Sequence, residues 1–456
     1  MALSVPAADA PAVNPVLRIA DIQIGGNEKT REYIIRREMS LHEGKLVAAD
    51  ELEELLAEDR KRITNTRLFV TVHTQLVPLG NNHVQVQIEV LERWYVVPVP
   101  IFSLADRNFN DWWTNQNRDM RRVNYGLKFN HYNFMGRAER MSVTAQFGFA
   151  RSLRLAYYMP YIDKSRKNGL GFSALYFDNN NVALRTLNHK RIFLTNNGQE
   201  MRRTFGGSMT YTRRASFYNT HLLGASFYAN TFADTVLRSN PEFHPQLQND
   251  IRYFTLTYGF LREMRDNVSY PLRGFNISAY ASKTGLGIFD DVNILEVDGT
   301  LGTHLPLAKR IFWSNTFNTR MSVAPKQPYY LMNGLGYGQK YVRGMELYVL
   351  EGQHHVLNKT ELKWQMLNKE YNISRHMPLD QFSKIPLALY PKIFFDAAYV
   401  HMPNPQPGND FLVNRPVWGT GIGLDIVSFY DFVLQLEYSM NSRMERGFFI
   451  NMNRGF

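Results

Sequence analysis

From Trp94 to its end the chain alternates apolar and polar residues, segment after segment, with no helical period between them. In MSVTAQFGF (141–149), Met141, Val143, Ala145, Phe147 and Phe149 fall on one face and Ser142, Thr144, Gln146 and Gly148 on the other. A period of two makes strands with one apolar and one polar face. The pattern recurs at 124–134, 153–159, 169–177, 253–261, 275–281, 312–323, 358–367, 393–400, 418–427 and 433–440, and strands are also expected at 96–104, 202–213, 216–231, 293–304 and 447–456. That makes sixteen strands over 95–456, about 22 residues each with turns, and an even number, as bacterial outer-membrane barrels have. The last segment, GFFINMNRGF, sets Phe448, Ile450, Met452 and Phe456 on one face and ends on an aromatic.

A soluble sheet this large packs against helices or a second sheet. Here the second face is polar and glycine-bearing. Closure around a wet lumen, apolar face to lipid, satisfies every backbone group, so the expected fold is mainly β, an antiparallel transmembrane barrel. No run approaches the roughly 18 apolar residues of a spanning helix. A mean hydropathy of −0.34 is compatible with strands that are only half apolar. The 25 Tyr and 30 Phe supply the aromatic belts that barrels carry at both interfaces. With 0 Cys, disulfides, thiol nucleophiles and thiolate metal sites are excluded.

Ahead of the strands lies a different pattern. Residues 1–15, MALSVPAADAPAVNP, have neither a basic region nor an apolar core, so they are expected to be a flexible lead-in rather than an intact signal peptide. Residues 16–93 read as β-α-α-β-β. LRIADIQI (17–24) alternates, a first helix starts near Thr30, and Asp50 with Glu53 has capping-box spacing before a stripe of Leu52, Leu55, Leu56 and Ile63. LFVTVHTQLV (68–77) and HVQVQIEVLE (83–92) flank a hairpin turn containing Gly80, Asn81 and Asn82.

The net charge of +11 fits anionic lipid head groups better than nucleic acid. The clusters Arg118, Arg121, Arg122 and Arg202, Arg203, Arg213, Arg214 lie near expected strand ends. Catalytic signals are missing, and no enzyme is expected. GGSMT (206–210) fails the nucleophile-elbow pattern at its last position. GLGYG (334–338) lacks the strand–helix context of a dinucleotide site. His354 and His355 point to opposite faces of a strand, and Asp290 and Asp291 make an acidic turn, so no metal is expected.

Several segments in this order resemble the BamA/TamA-type outer-membrane superfamily (bacterial surface antigen). In that superfamily, small POTRA domains of β-α-α-β-β order precede a sixteen-stranded barrel. YVRGM (341–345), between the eleventh and twelfth strands, resembles the family's V-R-G-F/Y loop segment, with Met345 in place of the aromatic. FFDAA (394–398) resembles its aromatic-x-Asp-x-Gly strand, with Ala398 in place of glycine, which sets a methyl group against the facing loop. RDNVSYPLRGF (265–275) resembles its D-x-x-x-Y-P-x-x-G turn. The resemblance implies a POTRA domain at 16–93 and a barrel at 94–456, in the bacterial outer membrane with the POTRA domain in the periplasm.

The loop motif also makes physical sense on its own. A charged Arg343, flanked by Val342 and Gly344 in a loop folded into a barrel, needs a carboxylate and an aromatic face. Asp396 and Phe394, two apart on one strand, offer both, and Glu361 is a second carboxylate if Leu362 and Trp364 face lipid. The first barrel strand carries Pro98 and Pro100 between Val97 and Ile101, and each proline removes a ladder donor. The closing strand is interrupted by Gly447 and Gly455 ahead of Phe456. A seam so built would open laterally, as the resemblance implies for entry of client strands into the bilayer.

The function expected is insertion or translocation of proteins at the outer membrane, without a cofactor. Unfolded outer-membrane or secreted clients would add to the strand bearing Phe69, Thr71, His73 and Gln75. Outer-membrane lipids, anionic ones included, and accessory subunits are the further partners, and a single POTRA domain points to a specialised role. The alternatives are a pore or lipid-handling barrel of the same superfamily and an adhesive surface protein using loops 178–201 and 232–250.

Overall fold

The computed structural model describes residues 15–104, 112–114, 117–195, 200–244, 246–289, 291–325, 327–373, 377, 383–428, 430 and 432–453. The chain divides into two compact units, residues 1–93 and 94–456.

The first unit runs β1 (Val16–Gly25), α1 (Glu32–Arg36), β2 (Leu46–Ala48), α2 (Ala49–Asn65), β3 (Phe69–Gly80) and β4 (His83–Glu92). Its sheet order is β2-β1-β4-β3, with β1 parallel to β4 and β3 at an edge. Ile19, Ile22, Ile34, Ile35, Leu52, Leu56, Ile63, Val86 and Ile88 are buried; Val86 and Ile88 alternate along β4, Leu52, Leu56 and Ile63 share one helix face, and a register shift after Ile19 brings Ile22 to the inner side. Asn81 and Asn82 take φ of 50° and 58°, as a two-residue hairpin turn of the I′ kind requires. Two expectations are corrected. α2 begins two residues earlier than the capping-box reading placed it, with Ala48 rather than Asp50 at the N-cap, so Asp50 lies in the first turn, where its charge meets the helix dipole. Leu55 is only partly buried, and Asp59 completes the buried stripe instead. Its carboxylate accepts from Ser40 N and Oγ, both at 2.8 Å, and from Leu41 N at 3.1 Å.

The second unit is a closed barrel. Its strands are β5 (Val96–Leu104), β6 (Val123–Phe134), β7 (Glu139–Gly148), β8 (Ala150–Met159) and β9 (Asn168–Asn179). After the hairpin β10 (Asn181–Leu187) and β11 (Lys190–Thr195) come β12 (Arg202–Arg214), β13 (Asn219–Phe232), β14 (Asp250–Glu263), β15 (Gly274–Thr284), β16 (Ile294–Ala308) and β17 (Ile311–Val323). The rest are β18 (His354–Trp364), β19 (Leu367–Asn372), β20 (Lys384–His401), β21 (Pro416–Val427), β22 (Val433–Asn441) and β23 (Arg446–Asn453). β18 and β19 both pair with β20 and make one interrupted strand, so sixteen strands form the wall among the described residues. β23 neighbours β5 and closes the sheet.

The alternation read in the sequence sorts the two faces. Tyr125, Leu127, Phe147, Phe172, Phe205, Leu223, Tyr258, Ile393, Phe395, Ile422, Phe448 and Ile450 are all exposed on the outside, a continuous apolar surface that only lipid can cover. The inside is polar: Ser173 and Ser208 hydroxyls meet at 2.8 Å, Thr257 and Ser282 at 3.0 Å, and His355 Nε2 meets Asn318 Oδ1 at 2.8 Å. Connections at one end include the short turns 135–138, 215–218 and 309–310, and long ones, including 180–201, 233–249, 324–353 and 402–415, lie at the other.

Two of these long connections, expected as plain loops, contain structure. Residues 178–201 hold the β10–β11 hairpin, and 232–250 hold α3 (Asp234–Ser239). Val182, Leu184, Val236, Leu237 and Phe243 form an apolar cluster with Phe232 and Ile251 at the wall. The hairpin was legible in principle: Asn188 and His189, both with positive φ, sit between two alternating runs. The terminal part of the 447–456 strand lies outside the described residues.

Candidate functional site

The loop 324–353 between β17 and β18 leaves the rim and folds back against the inner wall. Gly336 and Gly338 take φ of 98° and 57°, and bridges Leu335–Leu350 and Tyr337–Lys340 close the turn. Val342 and Met345 are buried with Leu335, Leu350, Leu357 and Ala398. Met345 thus fills the aromatic's place, and the Ala398 methyl is a packing contact rather than an obstruction.

Between Val342 and Met345, Arg343 is 4% exposed. Its Nε donates to Asp396 Oδ2 at 2.9 Å, its Nη2 to Asp396 Oδ1 at 2.6 Å, and its backbone N–H to Oδ2 at 3.0 Å. Nη1 donates to Glu361 Oε2 at 2.8 Å, and the guanidinium lies 4.0 Å from the centroid of the Phe394 ring. The fork of the guanidinium matches the carboxylate bidentately, which a lysine cannot do. The structure therefore brings the loop residue Arg343 together with Asp396, Phe394 and Glu361, each of those three on the face alternation assigned to it.

The charge array extends further than the sequence reading reached. Arg343 Nη1 stands 3.6 Å from Glu437 on β22. Lys392 Nζ bridges Glu437 at 2.8 Å and Asp425 at 2.7 Å. Lys363 pairs with Glu361 at 2.9 Å, and Lys359 Nζ lies 4.3 Å from the centroid of the Tyr341 ring. Four cations thus stand among four carboxylates along the inside of β18, β20, β21 and β22, which balances charge in a poorly solvated place. At the opposite end the turn 264–273 joins in. Asp266 Oδ1 accepts from Leu272 N and Arg273 N. Tyr270 donates to Asp425 Oδ2 at 2.9 Å and stacks near Tyr390, with ring centroids 4.9 Å apart.

Glycines make the approach possible. A Cβ at Gly419 would land on the Arg343 carbonyl oxygen, one at Gly421 would meet the Phe394 ring at 2.8 Å, and one at Gly423 would meet Lys392 Cε at 2.9 Å. Asn441 Nδ2 holds the Gly344 carbonyl at 2.7 Å, where Gly344 takes φ +91°. Sequence reasoning missed Glu437, Lys392, Asp425 and Gly419, and it placed Tyr270 in its turn motif without its bond to Asp425. The available signal was charge at inward positions of lipid-spanning strands.

The closing edge has a definite geometry. Tyr132 N donates to Tyr95 O at 2.8 Å, and the β5–β6 register then runs unshifted from Val96–His131 to Leu104–Val123. In an antiparallel strand each residue's N–H and C=O point to the same neighbour and alternate along the chain. Odd residues of β5 therefore address β6, and Pro98 and Pro100 face the other side, where β23 lies. Their rings are exposed on the outer face, while Val97 and Ile101 are partly buried on the inner one. Gly447 opposes Ser439 of β22; Gly455 and Phe456 lie outside the described residues.

In the first unit, His73 and Gln75 of the edge strand are exposed and Thr71 partly so, but Phe69 is a core residue, 1% exposed. A register shift between Phe69 and Thr71 turns it inward, and Arg93 Nε occupies its carbonyl at 3.0 Å. Phe69 therefore drops out of the open edge. The basic clusters also divide. Arg203 pairs with Glu200 and Arg121 with Asp119 at 3.0 Å, but Arg122 is buried over the Phe149 and Phe193 rings and Arg202 turns into the barrel. Those two cannot serve head groups.

A closed sixteen-stranded barrel with lipid-type exterior, an inward loop held by an arginine, and a β-α-β-α-β-β domain ahead of it define an outer-membrane barrel protein of the POTRA-bearing kind. Residues 133–356 match the Omp85 superfamily domain, and residues 17–93 match the surface antigen variable number repeat, the POTRA family. The chain belongs to the Omp85 superfamily and carries a POTRA domain at residues 17–93. The crystal structure of BamA from Haemophilus ducreyi lacking POTRA domains 1–3 superposes with a TM-score of 0.54 at 18% identity, covering 95% of this chain and 83% of that one. CdiB from Escherichia coli superposes with a TM-score of 0.50 at 10% identity, covering 98% and 91%. No curated protein matches the sequence. The family supports a role in insertion or translocation of proteins at the bacterial outer membrane, with the POTRA domain on the periplasmic side.

Proposed function

We propose that the protein passes unfolded polypeptide segments into or across the outer membrane through the seam between β5 and β23, after capture on the open part of β3. It does so without catalytic chemistry or a cofactor. The observation that carries this reading is the direction of Pro98 and Pro100. Both withhold N–H donors from the closing edge and neither from β6, so the wall is weakest where it must part. The charge array supports the same division of labour: it ties the inward loop to β18 through β22 and leaves β5 free of it. On β3, Thr71, His73 and Gln75 flank unpaired backbone that suits strand addition. Accessory subunits and anionic lipids belong to this proposal as further partners.

The chain's lack of cysteine makes the test clean. Cysteine pairs scanned between 99–103 of β5 and 446–452 of β23 would be oxidised in vesicles containing the protein. Assembly or export of a barrel client should stop on oxidation and return with reductant. Unchanged activity with the seam tethered would overturn the proposal and favour a passive pore.

A further inference from the structure

Inside the barrel, between the wall at β6–β9 and β12 and the loops above it, lies a polar cavity of about 340 Å³. Two guanidinium groups reach it, Arg191 from β11 and Arg202 from the first position of β12. Neither forms an ion pair among the described residues. Arg202 donates to Thr204 Oγ1 at 3.1 Å and Asn230 Oδ1 at 3.2 Å, and stands 5.5 Å from the Phe177 ring centroid. Arg191 Nε is buried with no hydrogen-bond partner, and its guanidinium lies 4.8 Å from the centroid of the Phe193 ring. No carboxylate lines the space. Glu351, which acts on Arg191 through charge, is bound instead by the Thr186 and Tyr337 hydroxyls at 2.5 and 3.4 Å, and burial pushes its carboxyl up to about 7.

The cavity also holds orphan polar atoms of the right kind. The Tyr330 hydroxyl is buried without a partner, its ring stacked on Phe243 at 5.5 Å. Asn181 Oδ1 is buried without a donor. Around Arg343 the buried cations stand among carboxylates, whereas Arg191 and Arg202 form no ion pair among the described residues and face an unpaired hydroxyl, an arrangement that calls for an anion. Guanidinium forks match tetrahedral oxyanions bidentately. The aromatic walls and the Asn181 acceptor suit a hydroxylated ring, and the volume is at the lower end of the roughly 300–1,000 Å³ of small-molecule sites.

We propose that this cavity binds a phosphate group, free or carried on a molecule of monosaccharide size, held by Arg191, Arg202 and the Tyr330 hydroxyl. This goes beyond the polypeptide-handling role and uses none of its residues.

Thermal unfolding of the full chain in detergent, followed by heat-modifiable gel mobility, tests it. Inorganic phosphate should raise the transition saturably above chloride at equal ionic strength. Glucose 1-phosphate acting at lower concentration than inorganic phosphate identifies a sugar-borne group, and equal potency identifies the free ion. Arg191→Gln and Arg202→Gln should each weaken the apparent affinity about tenfold or more. Tyr330→Phe, which removes one hydroxyl and preserves the packing, should weaken it about three- to tenfold. Non-specific salt stabilisation is common to all variants. No saturable rise over chloride, or an equal rise in all three variants, would overturn the proposal.

Discussion

At Arg343 one side chain satisfies two carboxylates and covers one ring, and its removal is not symmetrical with removal of a partner. Arg343→Ala strands Asp396, which is fully buried, without the cation it holds bidentately, while Glu361 keeps Lys363 at 2.9 Å. Breaking a buried pair from one side costs about 3–5 kcal/mol. Asp396→Asn retains an acceptor for the guanidinium while Glu361 and Glu437 keep countering its charge, so a smaller loss is expected. Protease sensitivity of 324–353 in the folded barrel should rise strongly in the first variant and modestly in the second; equal protection in both and in the parent would contradict the lock. Gly419→Ala tests the same contact from the wall, because the added methyl displaces the Arg343 carbonyl, and it should release the loop with every charge intact. The sequence made Arg343, Asp396, Phe394 and Glu361 legible, since a motif and a face sufficed. Glu437, Lys392 and Asp425 were not, because alternation tells which way a side chain points but not which strands bring it to the same height.

Among the elements, the β10–β11 hairpin is held at its tip. His189 is 1% exposed. Its Nδ1 meets Val349 O at 3.2 Å, its Nε2 accepts from Leu412 N at 3.1 Å, and its own N–H donates to Asn409 Oδ1 at 2.9 Å. One imidazole therefore joins the hairpin to loops 324–353 and 402–415, and only in its neutral form, since the protonated ring has no lone pair for Leu412. Burial lowers its pKa to about 4. The undocked hairpin, with an ordinary histidine, binds more protons between about pH 6.5 and 4, so docking is fully stable above 6.5 and weakens as pH falls. The loss over that window is on the order of 3 kcal/mol. Glu346 works in the other direction: burial raises its carboxyl to about 8, so its contribution is present below the usual carboxylate range and lost as pH rises through 8. Hydrogen-exchange protection of residues 181–195, taken relative to the intrinsic amide rate at each pH, should fall on acidification below about 6.5, and His189→Asn should flatten that fall, while Glu346→Gln should flatten the loss of protection in 334–350 as pH rises towards 8. Protection factors indifferent to pH in the parent would refute both. These two strands were read as a plain loop although alternation offered them, and the docking was not legible at all, because it depends on contacts between loops distant in sequence.

For the whole molecule, the question is where sixteen near-equivalent strand pairs become unequal. Closure abolishes sheet edges, so a barrel that must part has to carry its weakness in the sequence of one ladder. Alternation located the barrel and its first and last strands from residues 94–104 and 447–456, and the prolines marked the first; their in-plane direction needed the β5–β6 register. Restoring the donors is therefore the most informative change. Pro98→Val with Pro100→Val keeps apolar groups on the exposed outer face and returns two N–H groups to the edge beside β23. At about 0.5–1.5 kcal/mol for each bond, the seam should gain about 1–3 kcal/mol. The heat-modifiable transition should move up, and insertion or export of a client barrel should slow, with the POTRA domain and the Arg343 loop untouched. The paired Val97→Pro change, which takes a donor from the β6 ladder instead, should lower stability without speeding client passage. A double variant that is no more stable and equally active would show that the two prolines are incidental to opening.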